Sequence, residues 1–206
     1  MLLITSRRIL LILSLAALPL LVGSSCAFFF SSGGGSSNND NRDKPNDEVI
    51  VVKSGSFTGP TTEGLSYESG SLSDVTDRNG EFKYEDGSTV RFFIGDVDLG
   101  SPVSGKSVIT PMDLVVNSDS NATAAVNIER LLQSLDADPG DEVITIPKEV
   151  REAAVRSNGG VSSAIEFLDF SDDPAFANAA SQLVAVLTID YPFTASLVEA
   201  DSVQGR

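Results

Sequence analysis

The stretch GLSYESGSLSDVTDRNGEFKYEDGSTVRFFIGDVDLG, Gly64–Gly100, decides the fold. Glu81-Phe82-Lys83-Tyr84 alternates, with both rings on one face and both charges on the other; Val90, Phe92 and Ile94 repeat the period of two. Asp86-Gly87 between these runs predicts a tight hairpin joining them, because the turn it suits needs positive φ at its centre. Asp77-Arg78-Asn79-Gly80 predicts the preceding turn, with Asp77 folding its side chain back on the backbone, and Gly95-Asp96 predicts the next. Phe93 breaks the alternation and implies a strand covered on both faces.

Working outward, Glu48–Lys53 is a β-branched run and reads as the first strand, with Ser56–Pro60 as the turn that ends it. Val108-Ile109 is a further short strand. From Thr110 the period changes to about 3.6. Thr110-Pro111 opens a short helix to about Val115. Asn117–Asn121 is a polar loop. Ala122–Leu135 carries Ala124, Ala125, Ile128, Leu131, Leu132 and Leu135 at helical spacing, which puts Glu129 and Arg130 on its outer face. Val143–Ile146 is a strand, Pro147 opens a helix to about Ser157, and Asp173-Pro174 opens another with Phe176, Ala179, Ala180, Leu183 and Leu187 inward. Ser196–Glu199 has the form of a capping box for a last helix. The expected fold class is α+β: an antiparallel, sandwich-like β module of Ig or transthyretin type over 48–109, then a small helical part over 110–206 packed on it.

Composition narrows the chemistry. The 206 residues include 29 acidic and 14 basic side chains, a net charge of -15, with 41% hydrophobic residues. Such an exterior repels nucleic acid, so no nucleic-acid partner is expected. There is no His and no Trp, and there is one Cys. A nucleophile paired with His is excluded, as are a Cys/His zinc site and a disulfide within the chain.

Residues 1–25 read as an export signal: Arg7-Arg8, the apolar run Ile9–Val22, then Gly23-Ser24-Ser25 before the single thiol, Cys26. Removing them leaves 12 basic against the same 29 acidic residues. The segment resembles the lipobox of bacterial lipoproteins, with Gly23 where a Leu or Val is usual. That resemblance implies acylation of Cys26 and a membrane partner reached through its lipid. Ser31–Asp47 is rich in Gly, Ser and Asn and reads, within 26–47, as a flexible tether. Ala27 follows the cysteine where an Asp tends to retain lipoproteins at the inner membrane, so the resemblance implies the outer membrane or cell surface. A plain cleaved signal, giving a periplasmic or secreted protein, is a competing reading. An uncleaved anchor extended by Phe28-Phe29-Phe30 is another.

Five segments share a pattern: Gly64-Leu65-Ser66-Tyr67, Thr76–Tyr84, Gly87–Asp96, Thr110–Leu114 and Asn127–Asp136. Together they resemble a family of bacterial surface lipoproteins and exported proteins, and the Thr76–Phe82 turn also resembles carboxypeptidase-regulatory-like, transthyretin-like modules. The resemblance implies an exported, surface-displayed β module and names no reaction, and a non-enzymatic protein is expected. Adhesion, envelope structure, or binding of an extracellular protein or glycan are the expected roles.

One loop is the leading chemical candidate. Asp136, Asp138 and Asp141 gather around Gly140, and a tight loop can turn alternate carboxylates onto a calcium ion, which takes about six to eight oxygens. The competing reading is a solvated loop that ends a helix, since the twelve-residue calcium loop with its terminal Glu is absent. Asp169–Asp173 is a second acidic run, with Asp173 expected as a helix N-cap. An exported hydrolase working through two carboxylates, or an accessory to one, is the alternative function. Phe57, Phe82, Phe92, Phe93, Phe167, Phe170 and Phe176 are expected in the core.

Overall fold

The computed structural model describes residues 49–115 and 121–203. The expected leader, Cys26, the tether over 26–47 and most of the polar loop 117–121 lie outside the described residues. Ten strands come in the order β1 Val52–Phe57, β2 Thr62–Glu63, β3 Ser66–Ser69, β4 Leu72–Val75, β5 Glu81–Glu85, β6 Thr89–Ile94, β7 Val97–Asp98, β8 Val103–Ser104, β9 Val108–Ile109 and β10 Ile144–Thr145. The helices are α1 Pro111–Leu114, α2 Asn121–Ser134, α3 Lys148–Ala153, α4 Ser162–Glu166 and α5 Asp173–Leu187. The fold is α+β, and all described residues fall in one compact unit, Asp47–Arg206.

β5, β1 and β9 form one sheet, in that order; β4, β3, β6 and β7 form another, with β8 also on β6. Most pairs are antiparallel. Two are parallel: β1 with β9, and β2 with β10, which joins Thr62 to Ile144.

The expected hairpin at Asp86-Gly87 is corrected. The turn closes, with the Ser88 N–H donating to the Glu85 carbonyl at 3.0 Å and Gly87 at φ 83°. Yet β5 pairs with β1, and β6 with β3, β7 and β8, never with β5. The chain crosses from one sheet to the other there. The cause lies in the pattern itself: Phe82 and Phe92 each sit on an apolar face, and two apolar faces are buried by facing one another, not by lying side by side. Their rings meet edge-on at 5.2 Å, and Phe57 meets Phe92 at 5.0 Å. Each such pair adds about 0.5–1.5 kcal/mol beyond the area it buries. The tight hairpin occurs at Gly95-Asp96, where Ile94 pairs with Val97 and Gly95 takes φ 57°.

The first strand also starts later than expected. Residues 49–54 are exposed, and burial begins at Gly55. Phe93 is half-covered by the Arg91 guanidinium, 4.4 Å above its ring. The Asp77 turn forms as read: its carboxylate Oδ1 accepts from the N–H groups of Asn79 and Glu81, both at 2.8 Å.

Thr110 is the N-cap of α1 and Pro111 its first residue, as expected. Asp113 Oδ2 accepts from both the Thr110 N–H and hydroxyl at 2.9 Å, and its other oxygen takes Lys106 Nζ at 2.6 Å. Burial pushes the Asp113 carboxyl up, but these bonds outweigh it and leave it below its ordinary value. The six apolar positions from Ala124 to Leu135 are all buried, five in α2 and Leu135 just after it, as are the five read for α5. Arg130 is not on the outer face; it is 3% exposed. α3 stops at Ala153, short of Ser157, because the Ala154 carbonyl accepts the Asp96 N–H at 2.7 Å from the β6–β7 turn. α4 follows unforeseen. The capping box at Ser196 forms no helix; only Ala200–Ser202 makes a single 3-10 turn. Phe167, expected in the core, is 67% exposed.

Candidate functional site

The acidic loop after α2 is built by its own carboxylates. Asp136 is buried, and its Oδ1 accepts from the Asp138 N–H at 3.1 Å and the Thr145 N–H at 3.0 Å. The second of these ties the loop to β10, whose Thr145 carbonyl in turn accepts the Ala137 N–H at 3.0 Å. Asp141 accepts from the Val143 N–H at 2.8 Å through Oδ1 and from Arg78 at 2.7 Å through Oδ2. Asp138 is exposed. The structure thus places the three acids in one loop but points two of them at backbone N–H groups. Among the described residues, no group of three His, Cys, Asp or Glu side chains is placed to share a metal ion.

An open cleft of about 420 Å³ lies between the β6–β7 turn and the start of the helices, floored by Leu114, Ile165 and Phe170 and rimmed by Asp96, Asp98, Asp169 and Arg156. Its acids are engaged. Asp98 takes the Arg91 guanidinium, with Glu68 on the same Arg at 3.1 Å. Asp96 Oδ2 accepts the Arg156 N–H at 2.7 Å. Asp169 accepts from the Ser171 hydroxyl and N–H, which hold its carboxyl below the ordinary range. A general acid needs the opposite, a carboxyl raised toward neutrality. Burial does push Glu129 on α2 upward, but Glu129 does not line this cleft.

The polar centre that the sequence reading missed lies on the inner face of α2. Asn127, Arg130 and Ser134 are 0, 3 and 4% exposed. Arg130 donates to Asn127 Oδ1 at 2.8 Å, to Asp173 at 2.6 Å and to the Val198 carbonyl at 2.7 Å, and it lies over the Phe176 ring at 5.2 Å. The Ser134 hydroxyl donates to the Arg130 carbonyl and accepts the Val198 N–H at 2.8 Å. Asn127 donates to the Phe170 carbonyl at 2.9 Å. Both backbone groups of Val198 are thereby taken, which is why no helix grows from Ser196. Asn127 and Ser134 stand seven residues apart, beside Ile128 and Leu135; that spacing was the available signal. Asp173 is not the N-cap of α5. Asp172 is, accepting the Ala175 N–H at 3.2 Å, while Asp173 in the first turn faces Arg130.

Among the described residues, no helix is long and apolar enough to cross a membrane. Comparison with protein-family models, with curated proteins and with solved structures finds no match for the chain. The five motif segments can still be judged by what their residues do. Thr76 donates to the Thr62 carbonyl and accepts the Leu65 N–H. Gly80 at φ 70° sits against the Phe57 carbonyl. Leu65, Tyr67, Phe82, Tyr84, Phe92 and Leu114 are core. These residues form the fold; none of them forms a reactive cluster.

Proposed function

We propose that this chain is a non-enzymatic surface protein, exported and held by a lipid on Cys26, which displays a β-sandwich module of Ig or transthyretin type for adhesion, envelope structure or binding of an extracellular protein or glycan. The observation that carries the proposal is the employment of the acids. In the acidic loop and the cleft, Asp136, Asp141, Asp96, Asp98 and Asp169 accept backbone N–H groups, a Ser hydroxyl or Arg guanidinium groups. Carboxylates spent on turns and ion pairs are poor candidates for acid–base work. The sandwich assignment is supported by the two sheets meeting through Phe57, Phe82 and Phe92. Export and anchoring are supported by the leader, the small residues before Cys26 and the polar tether after it.

Expression of the full chain in a bacterial host, followed by mass spectrometry of the processed N-terminus, tests this. A diacyl or triacyl Cys26 as the first residue is the expected result, and Cys26→Ser should release the protein from the membrane fraction. An unmodified thiol inside an uncleaved leader would overturn the anchoring by lipid.

A further inference from the structure

The end of α5 is a corner that leaves apolar side chains short of cover. The Thr188 hydroxyl donates to the Val184 carbonyl at 2.7 Å, and the Thr188 carbonyl accepts the Tyr191 N–H at 3.0 Å, so the chain turns over Thr188–Tyr191. Ile189 and Asp190 hold the two central positions of that turn, and both are exposed, Ile189 to 78%. Beside them, between the start of α3 and the end of α5, lies a slot of about 370 Å³. Val150 and Leu187, both buried, line it together with Pro147, Ala153, Val186 and Ile189. Ile189 and Tyr191 also line a second depression, of about 420 Å³, that extends to Pro192 and Phe193.

The charge of this slot is one-sided. Glu149 and Asp190 line it, both exposed, and neither carboxylate forms a hydrogen bond or ion pair among the described residues. No Lys or Arg lines either depression. The two cations of α3 are committed elsewhere: Lys148 pairs with Glu152 at 2.7 Å, and Arg151 donates to the Ile146 and Gly64 carbonyls. The Tyr191 hydroxyl feels the resulting field; burial first, then the charges of Asp136 and Glu149, push its pKa up. An apolar slot with a few polar groups at its rim is the usual form of a binding site.

We propose that this slot binds a protein segment presenting adjacent aliphatic side chains flanked by Lys or Arg. The aliphatic groups enter the two depressions that share Ile189 and Tyr191, and the cationic heads meet Glu149 and Asp190. A second copy of this chain fits badly. A two-fold contact sets one patch against itself, and the patch has no cation to meet its own Glu149 and Asp190. The net charge of -15 opposes self-association further, and it repels anionic lipid and nucleic acid alike. The proposal narrows the class of extracellular protein invoked above and rests on that reading for its compartment alone. A chain that binds the probe below yet carries an unmodified Cys26 would remove the lipid anchor and leave the slot in place.

Fluorescence polarisation with the purified chain and a labelled peptide, Gly-Lys-Lys-Leu-Leu-Lys-Lys-Gly, tests it. The same peptide with Ser in place of both Leu keeps the charge and loses the apolar contact, and it should bind at least about tenfold more weakly. Glu149→Gln combined with Asp190→Asn should weaken binding of the Leu peptide by about tenfold. Glu81→Gln combined with Glu166→Gln removes the same charge from exposed positions outside both depressions and should leave binding in place. Ile189→Ser should weaken binding as the first pair does, with the melting temperature of the chain unchanged. Should Ile189→Ser fail to fold, the two charge-matched double variants decide alone. Equal binding of the Ser peptide, equal losses in the two double variants, or no binding at about millimolar peptide would each overturn the proposal. So would a dimer of the peptide-free chain that Ile189→Ser dissolves.

Discussion

Arg130 and Asp173 form an ion pair at 2.6 Å in which the two partners live in different media: the guanidinium is 4% exposed and the carboxylate 53%. Arg130 on α2 reaches the first turn of α5, and the same group holds the Val198 carbonyl of the C-terminal segment. Two other parts of the chain, 43 and 68 residues from Arg130, are thus tied to its side chain.

Removing the buried partner should therefore cost more than removing the exposed one. Arg130→Ala leaves Asn127 Oδ1 and the Val198 carbonyl without their donor, a loss on the order of 3 kcal/mol. Asp173→Ala leaves the guanidinium two protein acceptors and access to water through a half-exposed position, so its cost should be smaller, about 1–2 kcal/mol. Urea denaturation of the two variants checks the order; equal losses would mean that Asp173 carries the contact.

Glycines at two turns should respond differently to the same substitution. Gly95 has φ 57°, and a Cβ there would lie 2.2 Å from the Ala154 carbonyl oxygen, which belongs to backbone and cannot swing away. Gly87 has φ 83° with nothing within 4 Å. Gly87→Ala should cost only the conformational penalty, about 1–2 kcal/mol. Gly95→Ala adds the collision and should also loosen the contact that ends α3, for a loss above about 3 kcal/mol. Thermal melts of both variants decide it.

Periodicity found the elements whose stability comes from one apolar face. β5, β6, α2 and α5 were legible because Phe82, Phe92, Leu131 and Leu183 recur at the strand or helix period. Pairing was less legible. Asp86-Gly87 specifies a turn, but nothing local says whether the strands it joins lie side by side or face to face. The parallel partners β2 and β10 lie some 80 residues apart and are two residues long, too short to carry a pattern. The end of α3 and the missing last helix were decided by distant groups, Asp96 and Ser134, which compete for backbone that local propensity would have left helical. The acids of the candidate loop were found, while their hydrogen bonds to β10 and Arg78 are tertiary and invisible to spacing.

The Tyr191 hydroxyl donates to the Leu135 carbonyl at 2.6 Å, the end of α2. Burial first, then the charges of Asp136 and Glu149, push its pKa from 10.0 up to about 12. Because the folded value lies above the unfolded one, the unfolded chain gives up its proton first as pH rises. The stabilisation is complete below pH 10 and is lost as pH climbs from 10.0 toward about 12. Tyr191→Phe should lower the urea midpoint at neutral pH and flatten its fall across that interval. A fall of the same steepness in Tyr191→Phe would assign it to other groups.

Calcium at Asp136, Asp138 and Asp141 has its own test. An ion on this loop would compete with the Thr145 N–H for Asp136 Oδ1 and with Arg78 for Asp141 Oδ2. Breaking the first of these bonds removes one of the two hydrogen bonds between the loop and β10, so binding would be opposed by the fold that positions the ligands. Millimolar calcium should leave the melting temperature of the chain unchanged. Asp141→Ala, which removes an exposed ion pair and one turn bond, should cost about 1 kcal/mol with or without the ion. A rise of several degrees on adding calcium, lost in Asp141→Ala, would instead put an ion in the loop.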